Sequence, residues 1–427
     1  MAVPQPNPRI DVVPCSDGPS PLPGDVTPNA LIESAQTLIP LLRDEQAQTE
    51  ERGHYSWAMH ERFVQAGFSR ILQPRRYGGY ELDLPTFARV MVAIATGCPS
   101  TGWCLGLASS HAYIVASRFG EAAQAAIFGP NGDFRCPHSV APGGTAERAP
   151  EGWRVSGRWR YCSGIPYSTH FMGSATVHDG SEPPQLYAVV VPKEQITVLD
   201  DWHGDEVLGM RGSGSNSVAI EDAVIPEPFA VPFDWDRSGM SAGMELHGNP
   251  MYVGLRHAFY HATLVMPIVG AAKAALEEYE TLLDTRKTTL PPFGQTAPVD
   301  RRLSPDYQRD YGLAVGLVDT AEELLYAATQ RFMRVTRERW ERGDAYTITD
   351  DARIYAILQH AGDLAARAVA HMFATGGSNA ARRGERLQRY YRDVAMYRGH
   401  LSSQRLDLAG DFGRLYLGVE GPGGHFR

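Results

Sequence analysis

Hydrophobic periodicity changes twice along this chain, and the order of the periods constrains its fold more than any other feature. Up to about residue 132 the spacing is helical. It predicts a helix opened by Thr27 and Pro28 that runs through IESAQTLIPLLRDEQAQTEERG, and a second from Ser56 to Ala66 stopped by Gly67. Two more are expected, from Pro85 to about Ala95 and from Ser100 to Phe128. From Asp133 to Pro232 short alternating runs, WRVSGRWRY, QLYAVVVP and SVAIEDAVIP, lie between Gly/Pro clusters and read as β-strands. Beyond about Gly254 the helical period returns in long segments, 255–285, 304–342, 348–374 and 386–416, joined by TTLPPFGQTAPVDRRLS and ATGGSNAARRG. The expected organisation is a Pro-rich lead-in (1–26), a helical domain (27–132), a strand domain (133–245), a helical bundle (246–418) and a tail (419–427). Such an order narrows the fold, but function has to come from particular residues.

Bulk properties exclude several classes of partner. A formal net charge of −9 leaves no basic footprint for nucleic acid. No apolar run approaches the ~20 residues that span a bilayer. The start, MAVPQPNPRIDVVPCSDGPSPLPG, has neither the charged n-region nor the apolar stretch of a signal peptide. Five cysteines (Cys15, Cys98, Cys104, Cys136, Cys162) form no C-x-x-C pair, which suits a reducing cytoplasm better than a disulfide framework.

Common cofactor fingerprints do not occur. GMRGSGSNS carries glycines at 209, 212 and 214, which is not G-x-G-x-x-G, and it precedes a strand rather than a helix. There is no P-loop and no H-E-x-x-H. His257 and His261 stand four apart, but that stretch has no Asp, Glu or Cys to complete a metal site, so no metal is expected. GRWRYCSG (157–164) alternates Trp159 and Tyr161 with Arg158 and Arg160 and ends on Ser163-Gly164. That end reads either as a plain strand-to-turn junction or as a place where a flat ligand approaches closely. On the helix expected from Ser100, Trp103, Leu107, His111 and Ile114 share one face. The last long helix is expected to carry His400, with Asp393 and Met396 within two turns before it. From the residues alone, each histidine reads more readily as a buried or half-buried structural group than as a catalyst.

Five stretches in this order, LQPRRYGGYELDLPTF, GCPSTGWCLGLASSH, GRWRYCSG, WHGDEVLGMRGSGSNSVAIEDAVIPE and LQRYYRDVAMYRGH, resemble the acyl-CoA dehydrogenase superfamily over about residues 30–418. The resemblance implies an α+β fold with an N-terminal helical domain, a central β-barrel domain and a C-terminal four-helix bundle. Dehydrogenases of this kind carry a Glu base shortly after the late Arg-Asp pair. Here Arg392-Asp393 is followed by VAMYRGHLSSQRLDLAG, which has no Glu and places His400 near that position. With Ser163-Gly164 and with His111 after Trp103, the chain is similar instead to the flavin-dependent monooxygenase branch. That branch includes the oxygenase component of p-hydroxyphenylacetate hydroxylase and related phenol hydroxylases.

That likeness implies a flavin-dependent monooxygenase using O2 and reduced FMN or FAD from a separate flavin reductase. The expected reaction is hydroxylation of a small aromatic substrate, a phenol, through a C4a-hydroperoxyflavin. It further implies a homotetramer, with a dimer as the alternative, and the scattered cysteines place the chain in the cytoplasm. The roles it suggests are Ser163 near flavin N5, Trp103 beside the ring, and Arg211, Arg256, Ser213 and Ser215 as cofactor contacts. His111 and His400 flank the substrate, with His400 as the base and His111 orienting. Ser139 and His138 are substrate contacts or walls. Competing readings are an N- or S-oxygenase of the same fold, an acyl-CoA dehydrogenase, and a flavin-binding protein without activity.

Overall fold

The structure is a computed structural model that describes residues 26–177, 184–233, 241–253 and 257–419. The lead-in and the end of the tail lie outside the described residues. The N-terminal domain is built from eight helices: α1 (Pro28–Thr37), α2 (Ile39–Asp44), α3 (Gln46–Arg52), α4 (Trp57–Ala66), α5 (Leu84–Gly97), α6 (Pro99–Ser110), α7 (Ala112–Arg118) and α8 (Glu121–Phe128). The first expected helix is thus three short ones. Pro40 lacks the amide that would continue the ladder, and the chain re-enters helix around it. Ser56 caps α4 by accepting from the Met59 amide, and Gly67 stops it at φ +73.

Seven strands form one sheet: β1 (His138–Ala149), β2 (Gly152–Trp159), β3 (His170–Val177), β4 (Gln185–Pro192), β5 (Thr197–Val198), β6 (Val218–Ile225) and β7 (Ala230–Pro232). Their order is β5-β6-β2-β1-β3-β4-β7, with only β1 and β3 parallel. Hydrogen bonding leaves β5 and β7 as edges, so the expected barrel is an open sheet. Antiparallel pairing sets Trp159 opposite Val218 and brings the start of β1 beside the end of β2. Three segments far apart in sequence, around Ser139, Ser163 and Ser215, therefore emerge at one end of the sheet. β2 also ends earlier than its alternation suggests: Tyr161 takes a left-handed φ of +59 and is exposed, turning the chain out of the ladder.

After α9 (Ala242–His247) come the long helices α10 (His257–Thr285), α11 (Pro305–Arg342), α12 (Ile348–Thr375), α13 (Arg386–Arg398) and α14 (Arg405–Leu417). α10 is apolar and long enough to cross a membrane by composition, but 83% of that window is buried. It packs on α5 and α6 of the first domain and on α11, α12 and α13, and is the central core helix. Of the other breaks in the expected helices, two fall on histidines. The helix from Ser100 ends at His111, where ψ is −4, and restarts as α7. The last helix ends before His400, which sits in the link between α13 and α14. There Gly399 is a weak helix former. The Ser403 hydroxyl donates to the carbonyls of Arg398 and His400, competing with the ladder.

Candidate active site

The end of β2 delivers Ser163 into a chain of hydroxyls. Trp103 of α6 donates from Nε1 to Ser163 Oγ at 3.1 Å. Ser163 Oγ lies 2.7 Å from Ser215 Oγ, which lies 2.6 Å from Ser213 Oγ. All four side chains are buried. Gly164 makes the close approach possible. It has a φ of +88, and a Cβ there would stand 2.7 Å from the Cys104 carbonyl and 2.8 Å from Ala108 Cβ. Its amide bonds to the carbonyls of Ser213 and Gly214, locking the β2 end to the loop before β6.

His400 faces Trp103 edge-on, ring centroids 6.2 Å apart at 70°. The imidazole is solvent-accessible in the single chain, yet protein surrounds it closely enough that desolvation lowers its pKa. Its Nδ1 accepts from the Ser402 amide at 3.1 Å. A neutral ring with Nδ1 accepting carries its proton on Nε2, so His400 presents a donor.

His111 presents the opposite tautomer. Its Nδ1 lies 2.7 Å from the Cys136 carbonyl and can only donate there, which leaves Nε2 as a lone-pair acceptor. That Nε2 is buried and has no partner among the described residues. Burial pulls the pKa down to about 4, so the ring is neutral at physiological pH. Along the α-helical rise, His111 lies about 12 Å from Trp103, which separates two poles of one site. At the His111 pole stand His138 (centroids 5.6 Å) and Tyr260 of α10 (5.4 Å), with the Tyr260 hydroxyl bonded to His138 Nδ1. Ser139, beside His138, donates to the Arg160 carbonyl at 3.2 Å and keeps its lone pairs to accept.

Among the described residues His111 therefore keeps an unpartnered acceptor at Nε2, whereas the acceptor nitrogen of His400 is taken by the Ser402 amide. One cofactor candidate, Arg211, does not join the cluster. The Arg211 guanidinium pairs with Asp205 at 2.7 Å and bonds to the Val207 carbonyl. It lines a separate cleft of about 500 Å³ with Glu50, Arg383, Arg389 and Arg392. Arg256 lies outside the described residues. The Arg392-Asp393 pair is a staple between α13 and the loop before β6. Arg392 donates to the Leu208 carbonyl, and Asp393 accepts from the Met210 amide at 2.6 Å.

Four neighbours of the site escaped the sequence reading: Tyr260, His261, Tyr355 and Gln359. HAFYH did draw notice, but only as a possible metal pair. In the fold Tyr260 turns to His138, while His261 stacks on Tyr355 at 4.4 Å, fully buried with neither ring nitrogen partnered.

Hydroxyls, an indole and imidazoles on a strand end, between a helical domain and a bundle, fit a flat heteroaromatic cofactor. The orphaned His111 Nε2 fits an acidic substrate proton. Together the fold and site define a flavoenzyme of the acyl-CoA dehydrogenase type. Two family profiles match: acyl-CoA dehydrogenase, N-terminal domain, over residues 35–131, and acyl-CoA dehydrogenase, C-terminal domain, over residues 262–405. The pigment production hydroxylase of Rhodococcus sp. (strain ATCC 21145) is 29% identical over 377 residues, covering 88% of this chain and 93% of the relative. The FADH(2)-dependent resorcinol hydroxylase, oxygenase component, of Rhizobium sp. (strain MTP-10005) is 26% identical over 419 residues, covering 95% and 98%. The crystal structure of the HsaA monooxygenase from M. tuberculosis superposes with a TM-score of 0.81 at 22% identity, covering 92% of this chain and 98% of that one. The chain belongs to the acyl-CoA dehydrogenase superfamily, in its flavin-dependent monooxygenase branch.

Proposed function

We propose that this protein is the oxygenase component of a two-component monooxygenase that hydroxylates a small phenolic substrate, using O2 and reduced FMN or FAD from a separate flavin reductase. The observation that carries the phenol reading is the buried, neutral, unpartnered Nε2 of His111. The absence of any Glu between Asp393 and Arg405 counts against thioester dehydrogenation, which needs a carboxylate base there.

When bound, reduced flavin would supply the two electrons that activate O2, one atom of which goes to the substrate while the other leaves as water. The chain's own residues do the rest. Trp103 fixes Ser163 and would pack beside the flavin ring, and the Ser163 hydroxyl, backed by Ser215 and Ser213, would hold a proton at flavin N5. His400 offers its Nε2–H as a donor to the reacting face. His111 Nε2 takes the phenolic proton, which raises electron density at the ortho carbon. Ser139 and His138 bound the substrate at the same pole. The helices on either side exclude water, which would otherwise compete for these bonds.

The test is O2 uptake against a panel of phenols, with a generic reductase supplying reduced flavin. Phenol-dependent consumption with a hydroxylated product supports the reading. Tight yellow FAD that survives purification and is reduced by an acyl-CoA would replace it. We further read the protein as a homotetramer of a reducing cytoplasm. Four buried free thiols (Cys98, Cys104, Cys136, Cys162) support the compartment.

A further inference from the structure

The link that carries His400 is short and largely solvent-facing: Gly399 and Gln404 are exposed and Leu401 is 82% exposed. An imidazole on such a link would ordinarily sample both tautomers and several rotamers. One side of the link, however, is gripped by α12. Tyr355 donates its hydroxyl to the Ser402 carbonyl at 3.1 Å, and Gln359, one turn further along the same face, donates Nε2 to the same oxygen. The amide of that same Ser402 is the donor to His400 Nδ1.

The two clamping side chains are themselves held. Tyr355 is 5% exposed and Gln359 4%. The Tyr355 ring lies between His261, stacked at 4.4 Å, and Phe412 of α14, edge-on at 5.5 Å. A rigid core helix therefore fixes one residue of an exposed link, and that residue fixes the histidine.

We propose that Tyr355 and Gln359 are positioning residues that lock His400 through Ser402 in the Nε2–H tautomer, aimed at the space beside Trp103. This rests on the monooxygenase reading for its kinetic consequence, but not for its structural one. A carbonyl receiving two donors cannot rotate away without orphaning both, so the peptide planes around Ser402 stay fixed and its amide stays on Nδ1. Releasing the clamp lets the ring reach the Nδ1–H form, in which Nε2 becomes a competing proton acceptor beside the flavin.

Two substitutions remove the donors while keeping the packing: Tyr355→Phe, which preserves the ring stack, and Gln359→Leu. The first measurement is the tautomer of His400 by 15N-histidine NMR on the full-length protein, with His400→Gln assigning the signal. The wild type should show a single Nε2–H form and the double variant a mixture. A single unchanged tautomer in the double variant overturns the proposal, whatever the enzyme acts on.

The second measurement is a double-mutant cycle on oxygen-transfer rate and coupling. The clamp variant should lose roughly tenfold in the wild-type background, with substrate KM little changed, and nearly nothing in a His400→Ala background. Equal losses in both backgrounds would show that the clamp supports the fold and not His400. Should wild-type protein hydroxylate nothing, the monooxygenase reading fails, while the NMR result still decides the clamp. Should the double variant not fold, either single variant gives the same comparison.

Discussion

Trp103 Nε1 donates to Ser163 Oγ at 3.1 Å, and an indole can only donate, so one lone pair of Ser163 is committed to this contact. Ser163 accepts from the indole and keeps its own proton for Ser215 or for a ligand at the strand end. Ser215, between Ser163 and Ser213, can turn either way. One rigid donor therefore orients a hydroxyl that would otherwise rotate freely.

Ser163→Ala should still bind flavin but release more of the consumed O2 as H2O2. The lost bond is worth ~1–3 kcal/mol when buried, so the uncoupled fraction should rise roughly five- to hundredfold until it dominates. Trp103→Phe keeps the ring but removes the donor and should shift coupling the same way by less. H2O2 and product are quantified per O2 consumed. Wild-type coupling in Ser163→Ala would remove it from the site.

His111→Asn should leave the reaction of reduced flavin with O2 intact and slow transfer to the phenol. General-base help is typically worth about 10²–10⁴ in rate. Because burial holds His111 neutral down to about pH 4, its own titration does not shape the profile between pH 6 and 9. The defect should shrink at high pH, where the phenol ionises unaided. An amine or sulfur substrate would show no such rescue. His400→Ala should impair transfer less steeply with pH, since its Nε2 donates. Stopped-flow transfer rates at several pH values decide, and wild-type rates in His111→Asn would sink the base assignment.

The order of domains and most strands were legible because the core face repeats with the period of each element. Ser163, Trp103 and His400 were legible too, as residues that a resemblance placed together. The break at His111 was not. No Gly or Pro marks it, and its cause is partly a bond to the Cys136 carbonyl, twenty-five residues on. The break at Gly399 was written in the sequence but outweighed by apolar periodicity on both sides. The tautomers depend on which backbone group each ring meets, and the clamp joins Tyr355 and Gln359 to Ser402 more than forty residues away. No local pattern encodes such pairs.

The proposed assembly draws support from the surface of the bundle. Leu290, Phe293, Leu303 and Leu313, along α11 and the loop before it, are exposed in the single chain, a run of large apolar groups that water disfavours. Light scattering should give a homotetramer, four times the 46.9 kDa chain mass. Phe293→Asp combined with Leu313→Asp should shift the mass downward at micromolar concentration. A monomeric wild type would refute the assembly.

Acid should weaken the fold well before its carboxylates titrate. Burial lowers the pKa of His60 and His261 to about 3 and of His111 and His170 to about 4. As pH falls through the ordinary histidine value near 6.5, the unfolded chain binds these protons and the folded chain does not. Stability is therefore full above about 6.5 and drains toward 4. Each such imidazole costs up to about 1.4 kcal/mol per pH unit within that window. Asp393 acts the other way. Burial and the neighbouring Glu50 raise its pKa to about 7, so the folded state keeps a proton that the unfolded state gives up, and this one group stabilises as pH falls toward 4. Four groups against one leave a net loss large beside the ~5–15 kcal/mol that folding leaves over. Denaturation between pH 7.5 and 5.5 should show stability falling with pH. His60→Phe, which keeps a ring against Tyr55 and Tyr167, should flatten the slope by up to one proton, and Asp393→Asn should steepen it. A stability curve flat across that interval, or unchanged by His60→Phe, would show that these rings are hydrated in solution and take up their protons without unfolding.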